Sequence, residues 1–348
     1  LQAIFFLFYS FISSERYLMM DNDFIKYKVQ PKDSLNSIAF RMNMNELELK
    51  EFHNKHCEKM DKLWLGNLQG VKFILIPISY ISKTEQERQL QKKLPSIIDI
   101  ISFHSSEYTV TENIEQFNQD QLQLNYKIHL DIEEKKGQII VKTQQTDFRK
   151  NNIVPDDKVT SFALACMEKI SPISFILSEG KISALANHKS LVQKFKDKES
   201  ELKDFFIGNV ANSYIDLFSE NISNEDYFLR QMQCTLVYKI LFPDINWFHK
   251  KAEWKEKFAI YYNSFPLEFN FKAEYFYENP EYIETVLTGK ISENCSFLEL
   301  IKGSRIRDEN DVNKLKANIH LHYFTNKITR QLSEIKLEIN IWYKDKLF

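Results

Sequence analysis

The feature that most constrains the fold of this chain is a change in the spacing of its apolar residues. Apolar and polar residues alternate in residues 123–132, 138–148 and 265–277, which is the pattern of half-buried β-strands. Residues 187–249 instead carry apolar residues at the spacing of amphipathic α-helices. Strands followed by helices and then by strands predict an α+β fold with a largely antiparallel sheet, because a parallel sheet would alternate strands with helices.

Turn and capping residues divide this larger region into smaller elements. Residues 133–137 predict the turn of a β-hairpin, and residues 178–180 predict the turn of a second one. Asp156 and Asp157 favour a helix over residues 155–167, because the positive end of the helix dipole attracts anions. The other predicted elements are a strand over residues 282–291 that ends at a turn of Thr288 and Gly289, and a closing hairpin of residues 314–324 and 331–344.

The composition excludes some classes of protein. The chain has 348 residues, of which 43% are hydrophobic, and its net charge of -2 lacks the strongly basic balance of a nucleic-acid-binding protein. The four cysteines are scattered without a C-x-x-C pair, so we expect free and mostly buried thiols rather than a disulfide framework. They are Cys57, Cys166, Cys234 and Cys295.

The first twenty residues include an apolar run, AIFFLFYSFI, over residues 3–12. The run is too short to span a bilayer, no Lys or Arg precedes it, and no signal-peptide cleavage pattern follows it. We interpret residues 1–20 as a non-native extension before a start at Met19 or Met20, which would leave the protein in the cytoplasm. The alternative is a signal-like segment that would direct the protein to the periplasm or cell envelope.

A compact pattern between residues 24 and 77 predicts a βααβ unit. Residues 25–29 read as a strand, Asp33 or Ser34 can cap a helix that begins at Leu35, Asn45 can cap a second helix, and residues 71–76 read as the closing strand. Asn54 is predicted to stop the second helix. The expected core residues are Leu35, Ile38, Leu47, Phe52 and Ile74.

Residues 27–40, YKVQPKDSLNSIAF, resemble the signature of the LysM module, which binds glycans containing N-acetylglucosamine, such as peptidoglycan and chitin. LysM modules commonly begin Tyr-x-Val and continue Gly-Asp-Ser/Thr-Leu-x-x-Ile-Ala. The segment NELELKEFHN resembles their second helix, and FILIP resembles their closing strand. The chain differs in having Lys32 where the family usually has Gly, and in a longer connection between Asn54 and Phe73. The matching residues of the signature are Tyr27, Val29, Asp33, Ser34, Leu35, Ile38 and Ala39.

The resemblance implies a shallow groove between two loops, in which a sugar is held by backbone groups and apolar contacts. Trp64 has two possible roles, since its ring can stack on a sugar or pack beneath the long second loop. The residues expected to contact a glycan are Pro31, Lys32, Asp33, Ser34 and Leu35 in the first loop and Trp64, Leu65, Gly66 and Gly70 in the second.

No other group of residues predicts catalysis, a metal or a cofactor. His53, His56 and Cys57 lack a further ligand at a recognisable spacing, and we interpret them as ordinary polar residues at a helix end. His320 and His322 share one face of a strand, where we expect them to be polar residues of the solvated face. The sequence contains no nucleophile elbow, zinc-protease motif, P-loop or dinucleotide fingerprint, so we do not expect an enzyme.

The sequence therefore predicts a LysM module at residues 24–77, a charged linker at 78–94, and a larger antiparallel-sheet domain with a central helical segment at 95–348. The first hypothesis is a non-catalytic protein whose LysM module binds peptidoglycan or a related glycan weakly and whose second domain binds a protein partner. The alternative is a cytoplasmic structural or adaptor subunit in the baseplate of a contractile injection machine, phage-tail-like or type VI-like, in which the module serves assembly. Neither hypothesis involves nucleic acid or a transmembrane segment.

Overall fold

The chain divides into two compact units, residues 1–90 and 91–348. The proposed N-terminal extension at residues 1–20 and residues 79–87 of the predicted linker lie outside the described residues. The residues that the computed structural model describes are 24–42, 44–64, 68–78, 88–115, 121–261, 264–305, 315–343 and 346–347.

The first unit is a strand–helix–helix–strand structure, which matches the βααβ order expected from the sequence pattern. Its strands pair in antiparallel fashion, with Lys28 opposite Phe73. Each helix begins at a reciprocal cap, in which the capping side chain and the side chain three residues later bind each other's backbone amide. The elements are β1 (Phe24–Lys28), α1 (Leu35–Arg41), α2 (Glu46–His56), a 3₁₀ turn (Lys59–Asp61) and β2 (Phe73–Pro77).

This unit has a core of its own. The predictions for Leu35, Ile38 and Ile74 are confirmed, since all three are buried. The predictions for Leu47 and Phe52 are wrong, because Leu47 is 62% exposed and Phe52 is only half-buried. The buried core consists of Leu35, Ile38, Ala39, Met44, Leu49, Leu63, Ile74 and Ile76.

Helix α2 turns Leu49 and His53, which lie one helical turn apart, toward this core. The buried His53 is satisfied on both ring nitrogens. Its Nδ1 accepts a hydrogen bond from the backbone amide of Leu75 at 3.1 Å, so its Nε2 carries the proton and donates to the carbonyl of Asp61 at 2.9 Å. These two bonds to distant backbone groups explain why a histidine, rather than Phe52, takes the inward position.

The second unit contains two antiparallel sheets, in agreement with the predicted mixture of α and β structure and its antiparallel pairing. The neighbouring strands in the five-stranded sheet follow chain order: β3 (Glu107–Ile114), β4 (Leu122–Lys135), β5 (Gln138–Lys150), β6 (Ile173–Ser178) and β7 (Lys181–Leu185). The six-stranded sheet runs, from one edge to the other, β13 (Lys346–Leu347), β12 (Leu332–Tyr343), β11 (Lys316–Asn326), β10 (Tyr282–Ile291), β9 (Leu267–Phe276) and β8 (Trp254–Phe258).

Helices connect these strands and complete a single core. One helix separates β5 from β6, and a run of four helices and a 3₁₀ segment, Ile245–His249, separates β7 from β8. Leu94 is buried in the same core, so the predicted linker is wrong at its C-terminal end. None of the helices in the described ranges is both long and apolar enough to cross a bilayer. The helices are α3 (Ile100–Phe103), α4 (Lys158–Ile170), α5 (His188–Phe205), α6 (Asn209–Ser223), α7 (Glu225–Cys234), α8 (Leu236–Leu241) and α9 (Phe297–Lys302).

The predicted hairpins are confirmed, and the strands of the first, β4 and β5, are longer than the sequence pattern indicated. In each hairpin, β4–β5 and β6–β7, the two turn residues both have positive φ, the geometry that suits the right-handed twist of the flanking strands. Helix α4 begins three residues later than predicted, because the side chain of Asp157 accepts a hydrogen bond from the backbone amide of Thr160 at 2.9 Å.

The predicted turn at Thr288 and Gly289 is wrong, because both residues lie inside strand β10. Gly289 faces Phe271 of β9 across the sheet. A Cβ atom at Gly289 would lie 2.6 Å from Cζ of the Phe271 ring, so the ring occupies the space above the glycine. A cross-strand aromatic contact, rather than a turn, therefore accounts for this glycine.

Candidate functional site

The two loops that the LysM resemblance singles out meet at one end of the β1–β2 ladder. The first loop, residues 29–34, leaves β1, and the second loop, residues 57–72, leads into β2. The backbone amide of Val29 donates to the carbonyl of Lys72 at 3.1 Å, directly beyond the last strand pair. The fold thus brings the first loop beside the end of the second loop, as a groove between them would require.

The carboxylate of Asp33 holds the first loop in shape. It accepts hydrogen bonds from the backbone amide of Gln30 at 2.8 Å and the hydroxyl of Tyr27 at 2.9 Å, and it forms an ion pair with Arg41. The bond from the Gln30 amide, together with those from Tyr27 and Arg41, lowers the pKa of Asp33. The Asp33 side chain is 7% exposed, so it organises the loop more than it offers a contact to a ligand.

The other expected residues of the first loop divide into capping, core and exposed positions. Ser34 caps α1, since its hydroxyl accepts from the amide of Ser37 at 3.0 Å while its own amide donates to the Ser37 hydroxyl at 2.9 Å. The expected ligand contact through the Leu35 side chain is wrong, because that side chain is buried in the core. Pro31 and Lys32 are exposed, as are Gln30 and Ser34 of the same loop.

The second loop is anchored just before Trp64. The side-chain amide of Asn54 accepts from the backbone amide of Leu63 at 2.7 Å and donates to its carbonyl at 3.2 Å. The predicted role of Asn54 as a helix stop is wrong, because α2 continues to His56 and the amide instead mimics a backbone partner for the loop. The ammonium group of Lys50 donates to the carbonyl of Trp64 at 3.2 Å.

Trp64 is 77% exposed, so packing beneath the loop, one of its two possible roles, is wrong. In the described ranges no hydrogen bond, ion pair or ring contact joins Trp64 to the first loop. Gly70 has a positive φ of 82° in the turn that precedes β2. Leu65 and Gly66, the remaining expected contacts, lie outside the described residues.

Sequence reasoning missed the roles of three residues that shape these loops. Arg41 lies a full helix length beyond the carboxylate that it pairs with, and Lys50 reaches a carbonyl fourteen positions away. No spacing rule links such partners. For Asn54 a signal exists, since it stands where the LysM pattern ends its second helix, but the side-chain bonds to Leu63 follow only from the path of the loop.

The histidines and cysteines do not assemble into a metal site. Both ring nitrogens of His53 form hydrogen bonds with backbone groups, and Nδ1 of His56 forms one with the carbonyl of Phe52 at 2.9 Å. Across the described ranges, no group of three or more His, Cys, Asp or Glu residues is arranged to hold a metal ion. His322 Nδ1 lies 2.7 Å from a carboxylate oxygen of Glu284 on the neighbouring strand.

The second unit has a depression of about 260 Å³ that includes Lys181, Cys234 and Lys239. Lys181 forms an ion pair with Asp244 at 2.8 Å, which raises the pKa of its ammonium group, and Lys239 pairs with Glu256 at 2.8 Å. Burial raises the pKa of the Cys234 thiol. A lysine held in its charged form and a thiol held in its neutral form are poor nucleophiles, so this depression lacks the usual chemistry of covalent catalysis.

A second depression, of about 380 Å³, is lined mainly by Ile97, Ile98, Ile245 and His249. The His249 ring is bound through Nε2 to the carbonyl of Pro95 at 2.7 Å.

Comparison with known proteins gave no relatives: no protein-family model matches the chain, and no curated protein or solved structure matches it either.

Proposed function

We propose that this protein is a non-catalytic glycan-binding protein whose first unit contacts a polymer containing N-acetylglucosamine, such as peptidoglycan. The observation that carries the proposal is the exposed indole of Trp64, which lies beside the anchored part of the second loop. An exposed amphipathic ring suits the apolar face of a sugar. The resemblance to LysM modules and the meeting of the two loops support the same proposal.

The exposed Lys32 gives this groove a charge preference. LysM modules usually carry Gly at that position, which leaves the groove uncharged there. An exposed ammonium group can donate to hydroxyls of any glycan, but it gains more from a carboxylate. Peptidoglycan fragments carry carboxylates and chitin oligomers do not, so we expect the former to bind more tightly and their advantage to fall with salt.

The affinity should be low, because a shallow groove buries little area against the cost of association. We expect a Kd on the order of 0.1–1 mM for a short oligomer, equivalent to roughly 4–5.5 kcal/mol. Replacing Trp64 by Ala should weaken binding about tenfold, in line with the loss of one aromatic anchor at an interface.

The test follows the indole N–H signals of the full chain by NMR while chitin oligomers or peptidoglycan fragments are added. All four tryptophans lie in described parts of the chain, and Trp64 alone is exposed, whereas Trp247 is buried. A Trp64→Phe variant assigns the signal. The expected result is a shift of the Trp64 indole, together with weaker peptidoglycan binding by Lys32→Gln.

The matched control is Phe40→Ala, which removes another exposed aromatic ring, on helix α1 of the same unit, and should leave binding unchanged. If the Trp64 indole does not move at millimolar ligand, or if Trp64→Ala binds as the parent chain does, glycan recognition by these loops is refuted.

A specific observation favours the second candidate, a structural or adaptor subunit. Helices α4, α5 and α6 contribute to an apolar corner, which we define as Val159, Phe205, Ile207, Val210 and Tyr214. Ile207 is 90% exposed, and the others also reach the surface. Contiguous exposed apolar surface marks a site of interaction in soluble proteins.

Aromatic contacts tie this apolar corner together. The ring of Phe162 lies 4.7 Å from that of Phe206 and 5.0 Å from that of Tyr214, and Phe206 lies 4.9 Å from Phe205. The corner is therefore a supported surface that can hold a partner. In this candidate the protein belongs to a multisubunit assembly, such as the baseplate of a contractile injection machine, and the first unit serves assembly.

The two candidates differ in what they require of the apolar corner. If the protein is an assembly subunit, Ile207→Asp should abolish recovery of its partner from native complexes, with the contact placed at the corner by cross-linking. Ile328→Asp, at an equally exposed isoleucine elsewhere on the second unit, is the control. Recovery of the same partner with Ile207→Asp would exclude the corner as the assembly surface.

A further inference from the structure

Strand β12 has the longest unpaired edge of the sheets in the described ranges. It spans 12 residues, and the short strand β13 pairs only with its last two, Trp342 and Tyr343. The other edge strands are shorter, at 5 residues for β8 and 8 for β3. Strand β7 is partly covered, because the side chain of Gln233 donates to the carbonyl of Ile182 at 2.9 Å.

Residues 334–340 of the β12 edge lack the usual protection of an edge strand, since the bulge of this strand, at Ser333, lies before them. Natural edges are commonly blunted by a proline, a bulge or a charge that points inward. The inward positions of β12 between residues 334 and 340 are instead Ile335, Leu337 and Ile339, and all three are only half-buried. The charges of this stretch point to the opposite, solvated face. An open, regular and partly uncovered apolar strand is suited to pairing with another strand.

We propose that β12 pairs in antiparallel fashion with β12 of a second copy of this chain, about a twofold axis through Leu337. In this register Lys336 lies opposite the partner's Glu338, and the symmetry repeats that pair. On the inner face Ile335 lies opposite the partner's Ile339, and Leu337 lies opposite its own copy. The paired stretch, residues 334–340, ends before the residues that β13 covers, so the two six-stranded sheets can join.

The charge pattern selects this register over its neighbours. Sliding the partner strand by two residues one way places Lys336 opposite itself and Glu334 opposite Glu338. Sliding it the other way places Glu338 opposite itself. Odd shifts bring inward residues opposite outward ones, since successive side chains of a strand alternate between faces. The register about Leu337 alone among these pairs each lysine with a glutamate, and opposite charges on facing strands stabilise their pairing.

Lys336 and Glu338 are free to make these pairs. The ammonium group of Lys336 lies 3.4 Å from Glu334 in an exposed contact and sits 4.9 Å from the centre of the Phe324 ring. Glu338 accepts a bond from the side chain of Asn340 at 2.6 Å. Exposed contacts of this kind contribute little to stability, so their exchange for cross-strand pairs costs little. The self-complementary contact is of the kind that a twofold dimer requires.

The experiment is charge reversal in the full chain, followed by sedimentation velocity over a range of concentrations. The parent chain should form a dimer, and added salt should weaken it. Lys336→Glu gives a strand with only negative charges at the two positions, and Glu338→Lys gives one with only positive charges. Each should raise the dimer dissociation constant about tenfold or more, because two attractive pairs become repulsive. An equimolar mixture of the two variants should regain the dimer, since each then faces its opposite.

The matched control is Lys272→Glu, which disrupts an ion pair of 2.7 Å between Lys272 and Glu274 on the interior strand β9. These two residues are exposed and stand two positions apart, as Lys336 and Glu338 do. This variant should leave the dimer unchanged. The proposal is overturned if the parent chain stays monomeric at the highest concentration measured, if either reversal leaves the dimer intact, or if the mixture remains monomeric. A dimer that Ile207→Asp abolishes would also overturn it, because the apolar corner would then be the interface.

Discussion

Acidification should destabilise the second unit through His104, which is buried as a neutral ring. His104 lies among aromatic side chains, with ring centroids 4.8 Å from Phe103, 5.2 Å from Phe242 and 6.4 Å from Tyr108. Its Nδ1 is buried without a hydrogen-bond partner. Burial in this apolar setting lowers the pKa of His104 from 6.5 to about 3, because a charged imidazolium would lose its hydration.

The sign of the effect follows from which state binds the proton. Between pH 6.5 and about 3 the unfolded chain protonates this histidine and the folded chain does not, so the free energy of unfolding falls as the pH is lowered through this range. The full stability is present above pH 6.5. At pH 5 the two pKa values give a loss of about 2 kcal/mol. A loss of that size is a large share of the roughly 5–15 kcal/mol by which domains are typically stable.

The variant His104→Phe tests this reasoning, because a phenyl ring suits the aromatic surroundings and cannot be protonated. It should be at least as stable as the parent chain at pH 7.5, since it also removes an unsatisfied buried nitrogen. Urea unfolding followed by tryptophan emission, to which the buried Trp247 contributes, gives the free energy of unfolding at pH 7.5 and at pH 5. The difference between variant and parent should grow by about 2 kcal/mol on acidification.

Other groups that titrate in this range are the same in both proteins, so they cancel in that difference. His320→Gln, at a half-exposed position on β11, serves as a control for the loss of any histidine. Parallel pH dependences for the parent chain and His104→Phe would refute the assignment of a buried neutral ring.

Three further predictions concern packing and thiol chemistry. Ile38→Ala should lower the free energy of unfolding by about 2–5 kcal/mol and unfold the small first unit, which the loss of its dispersed NMR signals would show. The control Leu47→Ala, at an exposed position, should lower it by under about 0.5 kcal/mol. A folded first unit in Ile38→Ala would contradict this prediction. Gly289→Ala should lower the midpoint of thermal unfolding, because the new methyl group clashes with the Phe271 ring at a cost of about 1–3 kcal/mol. Adding Phe271→Leu should restore part of the loss. An unchanged midpoint would argue against the close approach of the Phe271 ring. Burial raises the pKa of the Cys166 and Cys295 thiols to about 11, so iodoacetamide at pH 8 should modify them only after the protein unfolds. Modification of the folded protein, detected by mass spectrometry, would contradict their burial.

Much of the secondary structure follows from interactions between residues close in sequence. The period-two stretches became strands, and the turns at residues 136–137 and 179–180 joined them, because a short turn needs no distant partner. Helix starts were also predictable, since caps such as Ser34 and Asp157 bind amides three residues away. Strand β3 was not predicted, because its weakly apolar pattern becomes a strand only through pairing with β4.

The site shows the same division. The motif located both loops, since Asp33 and the Ser34 cap act within a few residues of themselves. It did not reveal that Trp64 is exposed, because that depends on the bonds that Asn54 and Lys50 make to the second loop. Loops have no periodicity, so their course is set by the contacts that they find on the folded unit.

Local pattern and capping thus account for the order of helices and strands. Contacts between distant segments decide which residues are buried where the pattern allows more than one arrangement. Helix α2 offers apolar residues on two sides, and it buries Leu49 and His53 because β2 and the 3₁₀ turn bring the partners of His53 to that side. The sequence predicts a turn at Gly289, but in the folded chain the ring of Phe271 lies against this glycine within a strand. Periodicity shows which residues share a face, but which face is buried depends on free energy gained from segments far away in the sequence.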